Sequence, residues 1–502
     1  MRCATLRHHV AKLVHMKYVS IVIGLLGVAS WHACCSAEPA EPVRRPNVVW
    51  IVADDLGVEL SCYGYPDVAT PHMDRLASAG RRFTHAFATS PVCSASRTAF
   101  QTGRYQTAIG GHHHLTRDPQ VLPPDVPTVT ELLRDAGYFV CNGDGTPSSK
   151  PGKMHFNFVA DRSTYFDGTD WSQRATGQPF FAQVQIKQPH RPFEKAIRIR
   201  DDAPIPPVYP EHAITRADWS NYLASIEMLD QKVGRVLDRL ESERLISNTL
   251  VILFGDHGRP HVWDKQWLTD GGLQIPLIVQ FPGTQSAGVI DDRLVSLLDL
   301  MPTTLIAAGL ADEHQSLIER LPGGNLLDLD WPGHDVLFAA RDRCGDAPDR
   351  IRSVRSRGFR LTRNLEPHRP YTQHSGYKKL QYPVLTLMQV LHQRGQWDSP
   401  WMATERPIEE LYDLRDDPHQ LRNIAGDPEY HDTRRSLAAQ LDRWMEQCDI
   451  AGQKDESMSV DIPKLLAEKR QWYERAMKRR GLSPDITDEA YLNWWYRELG
   501  VE

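Results

Sequence analysis

The run Thr89-Ser90-Pro91-Val92-Cys93-Ser94-Ala95-Ser96-Arg97-Thr98 sets one thiol among small hydroxyl side chains, four positions ahead of an arginine. In an exported chain a cysteine is ordinarily sought for a disulfide partner; this setting suits chemistry better. Two distant segments offer carboxylates to match it. Pro46 to Asp55 reads Pro-Asn-Val-Val-Trp-Ile-Val-Ala-Asp-Asp, an apolar strand ending in paired acids. Thr249 to Gly258 reads Thr-Leu-Val-Ile-Leu-Phe-Gly-Asp-His-Gly and repeats that plan, ending in Asp256-His257. Asp54 and Asp55 alone would serve equally as a turn or helix cap. With Asp256 at a matched strand end, they form a hard-oxygen donor set suited to Ca²⁺ or Mg²⁺ rather than to a soft ion.

Such residues meet only if several strands end at one level. Asn47 to Ala53 is continuously apolar, as a strand covered on both faces should be. Thr70 and Pro71 open a short helix that Gly80 stops. Thr98 to Leu122, rich in glycine and histidine, reads as loops near a pocket; Thr128 to Ala136 reads as a helix closed by Gly137, and Tyr138 to Cys141 as a strand. Phe180 to Lys187 alternates, which predicts a half-buried strand, with His190 just past its end. An amphipathic helix covers about Thr215 to Glu241, with Leu223, Ile226, Leu229, Val233, Val236, Leu237 and Leu240 at core spacing, and the strand Leu250 to Phe254 follows.

This alternation gives an α/β domain over 46–340 with a mostly parallel central sheet. Ligands of such sheets bind beyond the carboxyl ends of the strands, where Asp54, Asp55, Asp256, His257 and His190 fall. Near Arg341 the pattern changes. A hairpin over Ile351 to Asn364, a strand at Glu409 to Leu414 and a covering helix at Asp427 to Asp449 describe a smaller α+β subdomain, 341–452, with an antiparallel sheet. The tail 453–502, with Trp472, Trp494 and Trp495, has no role legible in its sequence.

A length of 502 residues holds one large domain plus a smaller one. The net charge of -6 argues against general nucleic-acid binding, yet leaves room for a basic pocket on an acidic protein. Residues 1–37 read as an export signal: His8, His9, Lys12 and Lys17 precede the apolar run Val19 to Val28, and Cys35-Ser36-Ala37 supplies small residues before a cleavage ahead of Glu38. Met16 is an alternative start. The apolar run is too short for a comfortable membrane span, and Trp31-His32-Ala33 fits a lipoprotein signal at Cys34 or Cys35 poorly. The expectation is a periplasmic or secreted protein with no stable membrane anchor. Cleavage leaves Cys62, Cys93, Cys141, Cys344 and Cys448, too few for a disulfide-built scaffold; with Cys93 used in chemistry, one or two bridges among the other four stay open.

Two further clusters admit plainer readings. His112-His113-His114 cannot all face one ion in regular structure, so they read as a polar pocket wall or an exposed loop. The run Arg352, Arg355, Arg357, Arg360, Arg363 reads mostly as a solvated strand face, with one or two side chains reaching an anionic substrate.

Together these segments, over roughly Pro46 to Gly452, resemble the type I, formylglycine-dependent sulfatases of the alkaline-phosphatase-like superfamily. The resemblance implies that Cys93 is oxidised to formylglycine by a formylglycine-generating enzyme, and that calcium is ligated by Asp54, Asp55, Asp256, residue 257 and the formylglycine itself. Where the family often has asparagine this chain has His257, and Ala95 stands where many members have proline. The hydrated aldehyde would attack sulfur, with Arg97 holding the diol. Lys153-Met154-His155 matches the family's Lys-x-His element, His190 its later histidine and Lys265 its second lysine; a long glycine-rich stretch, 143–152, leaves Lys150 as a competitor for Lys153. Within the family, Gly258-Arg259-Pro260, Lys265 and Gly271-Gly272 look most like the heparan N-sulfatase branch. The implied function is exo-hydrolysis of N- or O-sulfated carbohydrate. The alternatives are a phosphodiesterase or phosphonate monoester hydrolase on the same fold, and a non-catalytic binder of sulfated glycans.

Overall fold

Strand β1 is Asn47–Asp54, and every residue in it is buried. Its two faces enter two different cores. Val49, Ile51 and Ala53 pack with apolar residues of helix Ala213–Ser242, including Leu223, Ile226 and Leu229. Val48, Trp50 and Val52 pack with Phe100, Leu133, Leu300 and Leu305, on helices Cys93–Thr102, Val129–Asp135 and Leu300–Ala307. Trp50 meets Phe100, Phe181 and Phe254 edge to face and donates its indole N–H to Thr304. That satisfies the polar end of a fully buried ring. The computed structural model describes residues 45–116, 119–283, 287–450 and 457–501, with side chains from 463 onward in the last stretch; the signal read at 1–37 lies outside the described residues.

The central sheet adds β2 (Arg81–Phe87), β3 (Phe139–Gly143), β4 (Phe180–Pro189), β5 (Thr249–Gly255), β6 (Gln274–Gln280) and β7 (Val289–Ser296), in the order β3-β4-β1-β5-β6-β2-β7. Only β6 runs against the rest. Register sets the functional edge. Ala53 lies opposite Gly255 and Asp54 opposite Pro189, so the acids of β1 and β5 and the histidine after β4 come out side by side.

A second sheet, β8 (Leu337–Arg341), β9 (Ile351–Arg355), β10 (Phe359–Asn364) and β11 (Glu409–Asp413), is antiparallel throughout. β8 crosses the boundary read at 340, and residues 45–502 cluster as one compact unit. Two helices of the tail share a core through Tyr473, Met477, Tyr491 and Trp495: Ser457–Arg479 packs against helix Gly376–Gln381 and Asp488–Leu499 against helix Pro383–Gln393.

Several local expectations change. Helix Cys93–Thr102 carries order into the start of the stretch read as loop. β4 is an inner strand and mostly buried, not half-buried. Its alternation reflects partnered glutamines: Gln183 donates to Thr130, and Gln185 accepts from Arg97 at 2.7 Å. The cysteines 62, 93, 141, 344 and 448 form no disulfide among the described residues. The arginine run is largely buried. Arg352 pairs with Asp449 at 2.7 Å and Asp342 at 3.1 Å, and Arg355 and Arg360 converge on Asp270.

Asp270 thus ties the small sheet to the loop that carries Lys265. Burial would raise its pKa, but the two guanidiniums outweigh that and hold the carboxyl well below the usual range. Removing one partner from a buried pair leaves uncompensated charge, so Asp270→Asn is expected to lower stability by about 3–5 kcal/mol at neutral pH. A depressed folded pKa gives stability that is present above the unfolded value of about 3.9 and lost as pH falls below it. Urea titrations should therefore show the gap between variant and parent closing in acid; a gap independent of pH would exclude the ion pair as its cause.

Candidate active site

Cys93 occupies the first position of helix Cys93–Thr102, at the end of the helix dipole that attracts anions. All ten residues of that helix are buried, and its hydroxyls are bonded: Ser94 accepts from the Leu115 amide at 2.8 Å, Ser96 donates to the Asp256 carbonyl and Thr98 donates to the Ser94 carbonyl. The small polar residues around the thiol therefore fix the helix against the strand ends.

Two triads of potential ligand atoms share the sulfur, Asp55 with His257 and Asp54 with Asp256. The Cys93 Sγ lies 3.8 Å from an oxygen of Asp55 and 3.4 Å from His257 Nε2. Cations hold the acids. Lys153 Nζ sits 2.6 and 2.7 Å from the two oxygens of Asp54. Lys265 Nζ sits 2.7 and 2.6 Å from those of Asp55, and 3.8 Å from the sulfur. Arg97 gives Nε to Asp256 at 2.9 Å and stands 3.6 Å from Asp54; its other hydrogen bond goes to Gln185.

Burial would push both strand-end acids up, but Lys153 beside Asp54 and Lys265 beside Asp55 outweigh it and keep them ionised. His257 shows the same contest. Burial disfavours its charge, and the carboxylates of Asp256 and Asp55 win, pushing the imidazole up to about 10. Its Nδ1 donates to the Gly258 carbonyl at 3.0 Å, which leaves Nε2 facing Asp55 at 2.9 Å. Three carboxylates with one imidazole and residue 93 fit a hard divalent cation, and pinning the far nitrogen is how a ligating histidine is oriented.

Above this floor lies a cavity of about 340 Å³ lined by Cys93, Lys153, His155, His190 and Lys265, with His114. His190 donates Nδ1 to the Arg191 carbonyl and turns Nε2 toward Asp55 at 3.9 Å. Arg191 anchors that turn, forking onto Asp218 at 2.7 and 2.5 Å and reaching the carbonyls of Pro260 and Gln381. Burial lowers His190, and burial with Lys153 and Arg97 takes His155 down to about 4. Lys150 is exposed and lines a neighbouring cavity on the other side of Lys153, so Lys153 is the lysine on the cluster. The glycines read near Lys265 have a packing reason: amides 258 and 259 bond to carbonyls 272 and 271 at 3.0 Å, and a Cβ on Gly258 would meet the Gly271 oxygen at 2.1 Å.

Of seven non-glycine residues with positive φ among the described residues, four border this site: Asp55 (67°), Leu115 (52°), His155 (39°) and Gln266 (77°). Such conformations persist where the surroundings impose them and gather at functional sites. The structure brings together every site residue read from the sequence. It also adds residues that no motif flagged: Arg343, Tyr377 and, from the tail, Leu465, Lys469 and Trp472 line the same cavity. The Tyr377 hydroxyl is buried with no hydrogen-bond partner among the described residues, 5.5 Å separates its ring from Lys265 Nζ, and only its proximity in space reveals it. The histidine triplet divides: His114 lines the cavity, while His112 and His113 are buried beside each other and join no cluster of ligand atoms among the described residues.

With strand-end acids around a buried thiol at a helix start, on a mostly parallel sheet, the chain is a hydrolase of the alkaline-phosphatase-like superfamily. The Sulfatase family profile matches residues 46–310, and the chain belongs to that family: it is a sulfuric ester hydrolase. An ulvan-active sulfatase of Formosa agariphila is 29% identical over 460 residues, covering 80% of this chain and 75% of the relative. The human N-sulphoglucosamine sulphohydrolase is 27% identical over 464 residues, covering 80% and 90%. Among solved structures, the phosphonate monoester hydrolase of Agrobacterium radiobacter superposes with a TM-score of 0.56 at 19% identity, covering 80% of this chain and 96% of that one. The last match speaks to the fold alone.

Proposed function

We propose that the protein removes sulfate from the ends of sulfated carbohydrates, cutting O-sulfate esters or sulfamates with a formylglycine made from Cys93 by a maturating enzyme. The observation that carries this is the convergence of Cys93, Lys153, His155, His190 and Lys265 on one small cavity beside three buried carboxylates. Asp54, Asp55, Asp256, His257 and residue 93 would hold calcium, which supplies Lewis-acid polarisation when bound. Hydrated formylglycine supplies a geminal diol, one hydroxyl to attack sulfur and the other to expel sulfate.

The chain's own groups do the rest. Lys153 and Lys265 neutralise charge growing on the sulfuryl oxygens, helped by the dipole of helix Cys93–Thr102. Arg97 is a positioning residue: bound to Asp256 and Gln185, it sets the carboxylates that surround residue 93. His155 and His190 face the leaving atom. Burial and neighbouring cations keep them neutral in the free protein; a bound sulfate favours their charged form, so a proton is taken up from solvent as the substrate binds. A cavity enclosed by several loops suits a chain end better than the middle of a polymer. The relatives named for ulvan and for N-sulphoglucosamine support a carbohydrate substrate, and the amino-terminal signal pattern supports export.

Turnover of an aryl sulfate well above that of the matching aryl phosphate and phosphonate is the expected result. The reverse order would make the protein a phosphoryl or phosphonyl hydrolase, and no metal-dependent turnover of any ester would make it a binding protein. A sugar oxygen or nitrogen needs a proton to leave, whereas an activated phenolate does not. His190→Ala and His155→Ala should then slow desulfation of a saccharide roughly 100-fold and an activated aryl sulfate less than about tenfold. Equal losses on both would remove the acid role from these histidines.

A further inference from the structure

Beyond the catalytic floor, the cavity has an outer wall, and the tail builds it. Leu465, Lys469 and Trp472 are spaced i, i+4, i+7 on helix Ser457–Arg479, so one face of that helix is turned to the cavity. The flank next to that face carries Tyr473 and Met477, which are 2% and 0% exposed in the core shared with helices Pro383–Gln393 and Asp488–Leu499. The helix is thus anchored along that flank, independently of any ligand. Leu465 is buried, yet Trp472 keeps 38% of its surface exposed at the cavity mouth. A large indole is normally highly buried, and an aromatic side chain left part-exposed beside a cation-lined cavity offers a surface on which the C–H face of a sugar ring stacks.

Charge points the same way. Lys469 and Arg343 line the wall in addition to Lys153 and Lys265 on the floor, against a single acid among the lining residues, Asp346. Asp346 accepts the Gly376 amide at 2.7 Å, and Arg343 is oriented at the wall by donating to the Gly345 carbonyl at 3.0 Å and the His114 carbonyl at 3.4 Å. One sulfate needs the floor cations alone; the wall cations suit a second anionic group on the same sugar.

We infer that helix Ser457–Arg479 is a carbohydrate-binding wall: Trp472 stacks on the sugar ring that bears the scissile sulfate, and Lys469 with Arg343 pairs with a second anionic substituent of that sugar. This deepens the function proposed above and rests on it. The wall sets which saccharide enters while leaving the sulfur chemistry to the floor.

The test uses the full-length matured protein, with aryl sulfate turnover as reporter and three competitive inhibitors: inorganic sulfate, glucosamine 2-N-sulfate and glucosamine 2-N,6-O-disulfate. Inorganic sulfate occupies the floor and does not reach Trp472. Trp472→Ala should weaken both saccharides about tenfold or more, the loss of roughly one stacking contact, with the constant for inorganic sulfate within about twofold of the parent. Trp472→Phe should recover most of the saccharide affinity. Lys469→Gln should weaken the disulfate more than the monosulfate. Saccharide and sulfate constants shifting together, or neither shifting, would overturn the wall; so would a parent protein that hydrolyses aryl sulfate yet binds neither saccharide at millimolar concentration. Equal effects of Lys469→Gln on both saccharides would overturn the second anionic contact. A parent with no sulfate-ester turnover would strike the proposed function first, and is seen before any variant is made.

Discussion

Cys93→Ala, produced beside a formylglycine-generating enzyme, should fold like the parent and lose turnover of the order of 10⁴-fold or more, as when a nucleophile is taken from a site whose parts act as a unit. Folding should survive because the change removes only one sulfur from a helix whose Ser94, Ser96 and Thr98 keep their bonds. The parent's peptide spanning residue 93 should show CH₂–SH replaced by CHO in a fraction that tracks specific activity. Cys93→Ser sharpens the case. A serine hydroxyl can take up the sulfuryl group but lacks the second hydroxyl that expels it, so this variant should give at most one turnover and gain the mass of one SO₃ at that peptide. Full activity from protein bearing an unmodified thiol would sink the mechanism.

The catalytic floor was legible because it lies where chain direction and register meet. An unbroken apolar strand ending in acid can be read locally, and the register that sets Ala53 opposite Gly255 brings two such ends together. Side chains whose partners come from afar were not legible. Arg352 looks like a surface cation until Asp449, 97 residues away, covers it, and Arg360 until Asp270 does. Gln183 and Gln185 gave β4 the look of a strand with one wet face, though their polar atoms are met by Thr130 and Arg97 inside the protein. The wall was hidden for the same reason. Leu465, Lys469 and Trp472 lie on one helical face in sequence, but only the packing of Tyr473 and Met477 decides that this face looks into the cavity.

The carboxylate floor makes the other large prediction. Asp54, Asp55 and Asp256 are buried beside Lys153, Lys265 and Arg97, so in the absence of an ion the acids and cations balance one another. A divalent cation held by the three acids should therefore compete with the lysines for the same oxygens and stabilise the folded protein by mass action, about 2.7 kcal/mol at a hundred times its Kd. Calcium added to chelator-treated parent should raise the unfolding temperature and restore activity together. Asp55→Asn should abolish both responses, because Asp55 binds Lys265, faces the Cys93 sulfur and accepts from His257. Asp54→Asn and Asp256→Asn should each lower bound calcium and turnover by roughly 100-fold, near the upper range for disturbing a ligand shell. His257→Asn, the residue the family often carries there, should retain calcium and most activity, since an amide oxygen is itself a hard donor. Chelated protein that keeps full activity with no metal bound would show that these acids serve the lysines alone, and the floor would have to be read as a network of ion pairs.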